Sequence, residues 1–284
     1  MGTMTGKRVL VTGATGGIGY ETAKAIAKEG AELIIVGRNA EKTKTVTEEL
    51  KTASGNPNIT FLLADLSSMA AVRKLAADFL AKYDRLDVLV NNAGGVNMSN
   101  EKTVDGFELT FAANHLSYFL LTNLLVPALE KAAPSRVVCV ASEAHRGATI
   151  DFGDLMTQPY SSFKAYGRSK LANILFGREL AKRLEKKRIT VNTLHPGVVS
   201  TNFFAGKPGI YGVIGKVAGV FMITPEKGAK TSIYLATSPE VEGVTGKYFD
   251  KCKPKIPNQQ AQDDAAAQRL WVESEKLTGF TASF

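Results

Sequence analysis

The sequence predicts an α/β fold in which a doubly wound parallel sheet carries helices on both faces. Short, near-continuously apolar segments indicate strands that are buried on both sides. Longer amphipathic segments alternate with them, and strand–helix–strand repetition implies right-handed crossovers. The predicted strands are Arg8–Val11, Leu33–Val36, Ile59–Leu63, Val88–Val90, Val137–Val140 and Thr190–Leu194. The predicted helices span about 18–29, 41–53, 68–82, 104–131, 162–187, 226–237 and 262–277.

The composition is that of a globular protein without a nucleic-acid partner. Of the 284 residues, 44% are apolar and 22% are charged, and the net charge is +8. The densest basic cluster, 182–188, lies at the end of a helical pattern, where cations complement the helix dipole. No aromatic residues interleave with that cluster, as a stacking surface for nucleic acid would require. We therefore interpret it as a solvated helix end.

Cysteine usage and apolar runs predict a cytoplasmic protein without a metal site or a transmembrane anchor. Cys139 and Cys252 are the only cysteines, too few for a disulfide framework or a cysteine-built zinc site. The longest apolar stretch, 116–129, is interrupted by Asn123 and Pro127 and is too short to span a bilayer.

The chain is expected to form one domain over residues 1–284, because no Pro- or Ser-rich linker divides it. A glycine-rich cofactor half spans about 7–140, and a catalytic and substrate half spans about 141–250. A helical tail follows over 251–284. The stretch 203–224, rich in glycine and apolar residues, interrupts the alternation of predicted strands and helices. We expect it to cover a lipophilic substrate.

A glycine-rich turn follows the first strand and opens the first helix, which is the context that dinucleotide binding requires. Glycines let the backbone approach a pyrophosphate, and the helix N-terminus supplies amide donors. The spacing differs from the common GxGxxG, and a tight strand-to-helix turn without a ligand is the alternative. The predicted cofactor contacts are Gly13, Thr15, Gly16, Gly17, Ile18 and Gly19.

The end of the second strand favours NADP(H) over NAD(H). An acidic residue there would accept hydrogen bonds from the adenosine ribose, but this strand runs into Arg38 and Asn39 with no carboxylate. A guanidinium suits a 2′-phosphate. Lys42, one helical turn on, either assists or is an exposed helix charge.

Two further strand ends carry candidate ligand contacts, because ligands of open α/β sheets bind outside the carboxyl ends of strands. A carboxylate after the third strand could meet an adenine amino group or could cap the helix that begins near Ser68, and the two roles are compatible. The predicted contacts are Asp65, Leu66, Asn92, Ala93 and Gly94.

Tyr166 and Lys170 form the candidate catalytic pair, since residues at i and i+4 share one helix face. An ammonium near a phenol lowers the phenol pKa from about 10. Reaching neutrality takes about 4 kcal/mol, which Lys170 and the positive nicotinamide of an oxidised cofactor could supply together. Ser142, just past the fifth strand, could donate to a substrate carbonyl oxygen.

These motifs together resemble the short-chain dehydrogenase/reductase family, from about Lys7 to Phe249. TGATGGIG (12–19) resembles its glycine signature and NNAG (91–94) its fourth-strand motif. YGRSK (166–170) resembles its active-site motif, and PGVVST (196–201) resembles the segment that meets the nicotinamide. The resemblance implies a single Rossmann-like domain.

A narrower resemblance is to the retinol-dehydrogenase and WW-domain-oxidoreductase branch. Segments 114–122, 169–176 and 194–197 and the tail from 246 to 271 carry it, together with the 24-residue step from Ser142 to Tyr166. The chain lacks the N-terminal anchor and the WW modules of some members, so we expect a soluble homologue.

The resemblance implies roles for individual residues. Tyr166 would donate the proton in reduction, Lys170 would lower its pKa and hold the nicotinamide ribose, and Ser142 would polarise the carbonyl. Asn114 would belong to a water relay that ends at Lys170. The implied contacts around the nicotinamide are Tyr166, Lys170, Pro196, Gly197, Val199 and Thr201.

The favoured function is that of an NADP(H)-dependent oxidoreductase that interconverts a lipophilic aldehyde or ketone and its alcohol. A non-catalytic redox sensor or scaffold on the same fold is the alternative, and a sugar-nucleotide isomerase or dehydratase is less favoured. A homo-oligomer, dimer or tetramer, is expected, and the helices at 104–131 and 162–187 suit the four-helix interface of relatives. His145 is a candidate pocket residue, His195 a packing residue, and Trp271 an anchor or interface residue.

Overall fold

A computed structural model describes residues 2–197 and 223–284 of the protein. The strands are β1 (Arg8–Thr12), β2 (Glu32–Gly37), β3 (Ile59–Leu63), β4 (Val88–Asn91), β5 (Ser135–Val140), β6 (Ile189–His195), β7 (Tyr248–Asp250) and β8 (Lys253–Pro254). Within the described residues they form one sheet in the order β3-β2-β1-β4-β5-β6-β7-β8. Every pair from β3 to β7 is parallel, and only β8 is antiparallel.

Helices cover both faces of the sheet, which confirms the predicted fold class. The helices are α1 (Gly17–Lys28), α2 (Ala40–Ser54), α3 (Met69–Lys82), α4 (Leu109–Lys131), α5 (Ser162–Arg183), α6 (Pro225–Thr237) and α7 (Asp264–Thr278). Helices α1, α2 and α6 pack together on one face, and α3, α4, α5 and α7 pack on the other.

Strand β1 shows why the predicted strands are near-continuously apolar. Successive side chains of a strand point to opposite faces. Leu10 therefore enters the core beneath α3 and α4, whereas Val9 and Val11 enter the core beneath α1. All three are fully buried, because helices cover both sides of the sheet.

The helix predicted over 104–131 begins later than expected. It starts at Leu109, because the Glu108 carboxylate accepts hydrogen bonds from the amides of Thr110 and Phe111, both at 2.7 Å. Such a cap satisfies amide donors that have no partner within the helix. The predicted helix over 162–187 ends at Arg183 and is followed by a short 3₁₀ turn, Glu185–Lys187.

Helix α4 is a core helix, although its length and apolarity would also allow it to cross a membrane. Among the described residues it alone meets that test, with a mean hydropathy of 1.2. In this fold 83% of the tested window is buried inside the protein. Its Phe119 ring lies 5.7 Å from that of Phe176 on α5.

Helix α7 packs along one side of α5 within the chain. From Ser169 to Ala181, every residue of α5 except Arg178 is buried within the one chain. Trp271 of α7 is 2% exposed, and its ring lies 4.9 Å from that of Phe119. Trp271 is therefore an anchor within the chain. The expected interface through 104–131 and 162–187 stays a prediction.

Candidate active site

The parallel register brings the sequence motifs to one edge of the sheet. The turns that follow β1, β4, β5 and β6 lie at the carboxyl ends of neighbouring strands. They carry the glycine turn, the loop 92–95, Ser142 and the segment 195–197. Helix α5 crosses behind this edge and contacts both β5 and the turn after it.

The glycine turn is packed so closely that two of its glycines cannot be replaced without a shift of the backbone. A Cβ at Gly13, whose φ is +66°, would lie 2.7 Å from the Cα of Ala93. A Cβ at Gly19 would lie 2.3 Å from the Gly13 carbonyl oxygen. Ala93 thus packs directly against the turn, and its predicted place at the cofactor edge follows from this contact.

The N-terminus of α1 fits the pyrophosphate of a dinucleotide. Gly16 occupies its N-cap and has no side chain to cap the first amides, and no acidic residue lies in the first turn. A Cβ at Gly16 would meet no atom within 4 Å, so the turn is open on this side. Uncapped amides and the positive end of the dipole suit an anion. Gly17, at φ +56°, and Ile18 begin the helix there.

A groove of about 570 Å³ runs beside the glycine turn between α1 and α2. Thr15, Gly16, Gly17 and Lys42 line it, so Lys42 faces the predicted cofactor region and not only bulk solvent. Arg38 is exposed just beyond the end of β2.

The side chain of Asn92 holds the glycine turn from behind. Its amide nitrogen donates to the carbonyl oxygens of Thr12 at 2.9 Å and Gly13 at 3.2 Å. The Thr12 hydroxyl in turn accepts from the amides of Asn92 and Ala93 at 2.9 and 3.0 Å. The sequence motifs did not assign a role to Thr12, although a hydroxyl residue directly after an apolar strand is a signal for a side chain that binds the following turns. The Asn92 side chain therefore shapes the turn.

Asp65 and Leu66 follow β3, as expected. The Asp65 carboxylate is exposed and accepts hydrogen bonds from the Ser67 amide at 3.0 Å and hydroxyl at 2.7 Å. The alternative that Asp65 caps α3 is wrong, because the hydroxyl of Ser68 accepts from the amide of Ala71 at that cap. Leu66 packs partly buried against the core.

Ser142, Tyr166 and Lys170 come together at the end of β5. The Tyr166 hydroxyl is hydrogen-bonded to the side chain of Ser142. Lys170 is 3% exposed. Its ammonium lies 5.6 Å from the centre of the Tyr166 ring and donates to the Val140 carbonyl oxygen at 3.0 Å. The three side chains can thus present one proton donor with a polar neighbour and a buried cation.

The protonation of this set differs from the expectation of a lowered tyrosine pKa. Burial raises the pKa of Tyr166, and the hydrogen bond with Ser142 acts in the opposite direction without reversing the shift. Burial also lowers the pKa of Lys170 to about 8, since a low-dielectric site disfavours the charged ammonium. In the chain alone, Tyr166 therefore holds its proton at neutral pH, which is the form that a proton donor requires.

Asn114 lies in a π-helical turn, Ala112–Leu116, inside α4. Its Oδ1 accepts from the Gly95 amide at 2.9 Å, and its Nδ2 donates to the Gly95 carbonyl oxygen and to the Ser169 hydroxyl, each at 2.9 Å. Ser169 donates in turn to the Tyr166 carbonyl oxygen at 2.8 Å. Asn114 thus links the loop after β4 to α5. Single π turns often mark functional sites, but the apolar helical pattern did not predict this one.

Gly94 lets the loop after β4 pass close to the buried cation. Its φ is +154°, and a Cβ there would lie 2.7 Å from Asn114 Oδ1 and 3.4 Å from Lys170 Nζ. Any side chain at this position would enter the space between the two polar groups.

The two histidines near the site are structural. His145 is fully buried and its Nδ1 lies 2.6 Å from the Ser142 carbonyl oxygen, so the hypothesis that it lines the substrate pocket is wrong. His195 accepts a hydrogen bond from the Glu143 amide at 3.3 Å, as expected of a packing residue.

Pro196 and Gly197 follow β6 at the same edge, and Gly197 has a φ of +90°. The predicted contacts Val199 and Thr201, and 203–222 of the segment expected to cover the substrate, lie outside the described residues.

Burial of Lys170 predicts that the catalytic set lowers stability. A pKa lowered from 10.5 to about 8 corresponds to about 3 kcal/mol of destabilisation at neutral pH, because the unfolded chain binds this proton more tightly. Lys170→Met should therefore raise the free energy of unfolding at pH 7, with its full effect below pH 8. The advantage should shrink as the pH rises from 8 towards 10.5, because the lysine loses its proton first in the folded chain and above 10.5 in the unfolded chain as well.

Urea unfolding of the cofactor-free protein between pH 7 and 10 measures this difference. Lys44→Met is the control, since Lys44 is exposed on α2 and its ammonium stays hydrated. A variant that is less stable than the wild type at pH 7 would contradict the predicted cost of burial.

Comparison with known proteins identifies the family. The family model described as "short chain dehydrogenase" matches residues 7–208. Human "Retinol dehydrogenase 13" is 41% identical over 288 residues, which cover 99% of this chain and 87% of that protein. Among solved structures, a putative uncharacterized protein from Mycobacterium Paratuberculosis superposes with a TM-score of 0.81 at 30% identity, over 99% of this chain and 96% of that one.

The "RhlG/NADP active-site complex" of Pseudomonas aeruginosa is also similar, with a TM-score of 0.70 and 29% identity over 90% of this chain and 97% of that one. Sequence match, sheet order and motif placement agree. The chain belongs to the short-chain dehydrogenase/reductase family, in its retinol-dehydrogenase-like branch, and is an oxidoreductase that uses a nicotinamide dinucleotide.

Proposed function

We propose that the protein is an NADP(H)-dependent oxidoreductase that interconverts a lipophilic aldehyde or ketone and its alcohol, with Tyr166 as the general acid and base. The observation that carries this is the hydrogen-bonded pair of Ser142 and Tyr166 with the buried Lys170 ammonium 5.6 Å from the tyrosine ring. A cytoplasmic location and a homo-oligomeric state are part of the same proposal.

The chain's own residues supply binding, polarisation and the proton. The uncapped N-terminus of α1 would hold the pyrophosphate of a nicotinamide dinucleotide, which would bring hydride-transfer chemistry to this edge of the sheet. The Ser142 hydroxyl donates to the substrate carbonyl oxygen and polarises it. Tyr166 gives its proton to the same oxygen as negative charge develops there.

Lys170 stabilises the phenolate that remains after this transfer. Its ammonium is buried, so its charge acts at low dielectric and is weakly screened. Asn114 and Ser169 hold the loop after β4 against α5, which keeps Tyr166 and Lys170 at one distance from the cofactor edge.

The sensor or scaffold alternative explains this arrangement less well. A protein that only binds a dinucleotide gains nothing from burying an ammonium group whose pKa falls to about 8. A reductase needs that charge next to the tyrosine, so the cost in stability has a function.

A catalytic Tyr166 predicts a large loss of turnover in Tyr166→Phe. The variant removes only a hydroxyl, so we expect kcat to fall at least about 100-fold while the Kd for NADPH stays unchanged. Stopped-flow or steady-state NADPH oxidation with an aldehyde measures kcat, and cofactor fluorescence measures Kd.

The matched control is Tyr83→Phe, which removes a hydroxyl that bonds Thr60 away from the site. Wild-type turnover in Tyr166→Phe would show that another group donates the proton.

Cofactor choice is proposed to depend on Arg38. It is exposed next to the end of β2, Lys42 lines the neighbouring groove, and a similar solved structure contains NADP. We expect NADPH to bind at least about tenfold more tightly than NADH, a difference of about 1.4 kcal/mol. Arg38→Asp should abolish or reverse this preference, since a carboxylate repels the 2′-phosphate.

Titration of both reduced cofactors by fluorescence measures the ratio. Lys44→Asp makes the same charge change on the exposed side of α2 and should leave the ratio within about twofold. Equal affinity of the wild type for the two cofactors would overturn the assignment.

The substrate is proposed to be a medium or large lipophilic carbonyl compound or alcohol. Phe163, one turn before Tyr166 on the same face of α5, is 60% exposed, so an apolar ring stands beside the catalytic tyrosine. The similar human protein is named as a retinol dehydrogenase, and retinol is a lipophilic alcohol. Burial of hydrocarbon contributes about 0.8 kcal/mol for each CH₂.

A series of straight-chain aldehydes tests this class. We expect kcat/KM to rise with each added carbon over the first several members, and Phe163→Ser to flatten that rise. Val104→Ser, at a side chain that is 89% exposed in the loop before α4, is the control. A wild-type series that is flat or falls with length would contradict a lipophilic binding surface.

A further inference from the structure

The turn that carries Ser142 is short and depends on outside contacts. Ser142 is the N-cap of a five-residue 3₁₀ turn, Glu143–Gly147, and its hydroxyl accepts from the Ala144 amide at 3.2 Å. A single 3₁₀ turn has poor hydrogen-bond geometry and little stability of its own. The position of Ser142 therefore depends on the elements packed against the turn. These are helix α5 and residues 248–258, which we call the C-terminal hairpin segment.

His145 bridges the Ser142 backbone and this segment. Its Nδ1 lies 2.6 Å from the Ser142 carbonyl oxygen, and its Nε2 accepts from the Asn258 amide at 3.3 Å. The Asn258 side-chain amide donates back to the His145 carbonyl oxygen at 3.1 Å. These contacts define a neutral imidazole with its proton on Nδ1. The ring also packs edge-on against Tyr248 with centroids 5.1 Å apart.

Glu143, the next residue after Ser142, makes a second bridge. Its carboxylate accepts from the Tyr248 hydroxyl at 2.8 Å and pairs with Lys255 at 3.3 Å. Arg146, on the same turn, donates to this carboxylate at 2.7 Å and to the Ile256 carbonyl oxygen at 3.1 Å. Both bridges run from the residues around Ser142 to the C-terminal hairpin segment.

We propose that His145 and Glu143 are positioning residues through which the C-terminal hairpin segment sets the place of the Ser142 hydroxyl against Tyr166. The inference rests on the proposed function. The contacts act on Ser142 from both neighbouring groups. The His145 ring holds the Ser142 carbonyl oxygen. Glu143, the next residue, is held at its carboxylate by the Tyr248 hydroxyl and at its backbone amide by the His195 ring. A displacement of about 1 Å at a catalytic group is enough to reduce rates up to about 100-fold.

Tyr248→Phe is the most conservative test, because it keeps the ring against His145 and removes only the hydrogen bond to Glu143. We expect kcat for the best aldehyde of the series to fall about tenfold, with the KM for NADPH within twofold. The matched control is Tyr234→Phe, which removes a hydroxyl bonded to Glu240 at 3.0 Å on the opposite side of the sheet. Its kcat should equal that of the wild type.

A double-mutant cycle separates positioning from general loss of structure. In a Ser142→Ala background the serine hydroxyl is gone, so adding Tyr248→Phe should change kcat by less than twofold. A full further tenfold loss in that background would overturn the proposal, because it would show an effect that bypasses Ser142.

His145→Gln gives a second, independent variant. Its amide oxygen can still accept from the Asn258 amide but its side chain no longer bonds the Ser142 carbonyl oxygen, so kcat should again fall while NADPH binding persists. If turnover were unchanged in both Tyr248→Phe and His145→Gln but fell in Ser142→Ala, the positioning role would be contradicted and the proposed function would stand. Wild-type turnover in Ser142→Ala would instead contradict the proposed function.

Discussion

The contact between the glycine turn and the loop after β4 is the constraint on which the rest of the site depends. Asn92 donates into the turn, and Gly13 and Gly19 approach their neighbours so closely that no Cβ fits. This contact holds the glycine turn against Asn92 and Ala93, and Gly94 and Gly95 follow directly in the chain. From there, hydrogen bonds lead through Asn114 and Ser169 to Tyr166. The glycine turn and the proton donor are thus connected through the loop after β4 by hydrogen bonds that involve both backbone and side-chain groups.

The catalytic set is stabilised from outside because it is unfavourable by itself. Lys170 is buried with a pKa lowered to about 8, and burial raises the pKa of Tyr166. The lowered pKa of Lys170 disfavours folding at neutral pH, whereas the raised pKa of Tyr166 has no effect there because the phenol is protonated in the folded and the unfolded chain. The surrounding core, which includes the fully buried Phe119 and Leu171, compensates for this cost. Such local instability at an active site is common in enzymes.

Much of the fold and of the site could be predicted from the sequence, for a physical reason. Strands buried on both faces must be apolar at successive positions, as β1 shows, and a close backbone approach admits only glycine, as at Gly13. The strands Tyr248–Asp250 and Lys253–Pro254 could not be predicted, because three and two residues carry no periodicity.

Other features escaped because they depend on three-dimensional neighbours. The π turn around Asn114 contains only residue types that also occur in ordinary α-helices, so the sequence does not distinguish it from one. His145 could be read as a pocket residue, since only the fold shows Asn258 behind its ring. The pKa of Tyr166 was expected to fall because a spacing of i and i+4 shows the ammonium but not the burial that acts against it.

The packing of α7 has a consequence for how the chain assembles during synthesis. Trp271 fills the space between α4 and α5, and Arg73 of α3 donates to the Thr278 carbonyl oxygen at 2.7 Å, across 205 positions of sequence. Contacts at such separation form late, because the entropy of closing a long loop opposes them. While residues 264–278 are still inside the ribosome, the apolar side of α5 is bare. The nascent chain therefore exposes a large apolar surface while about the last third of the sequence is translated, and such a surface is prone to aggregation.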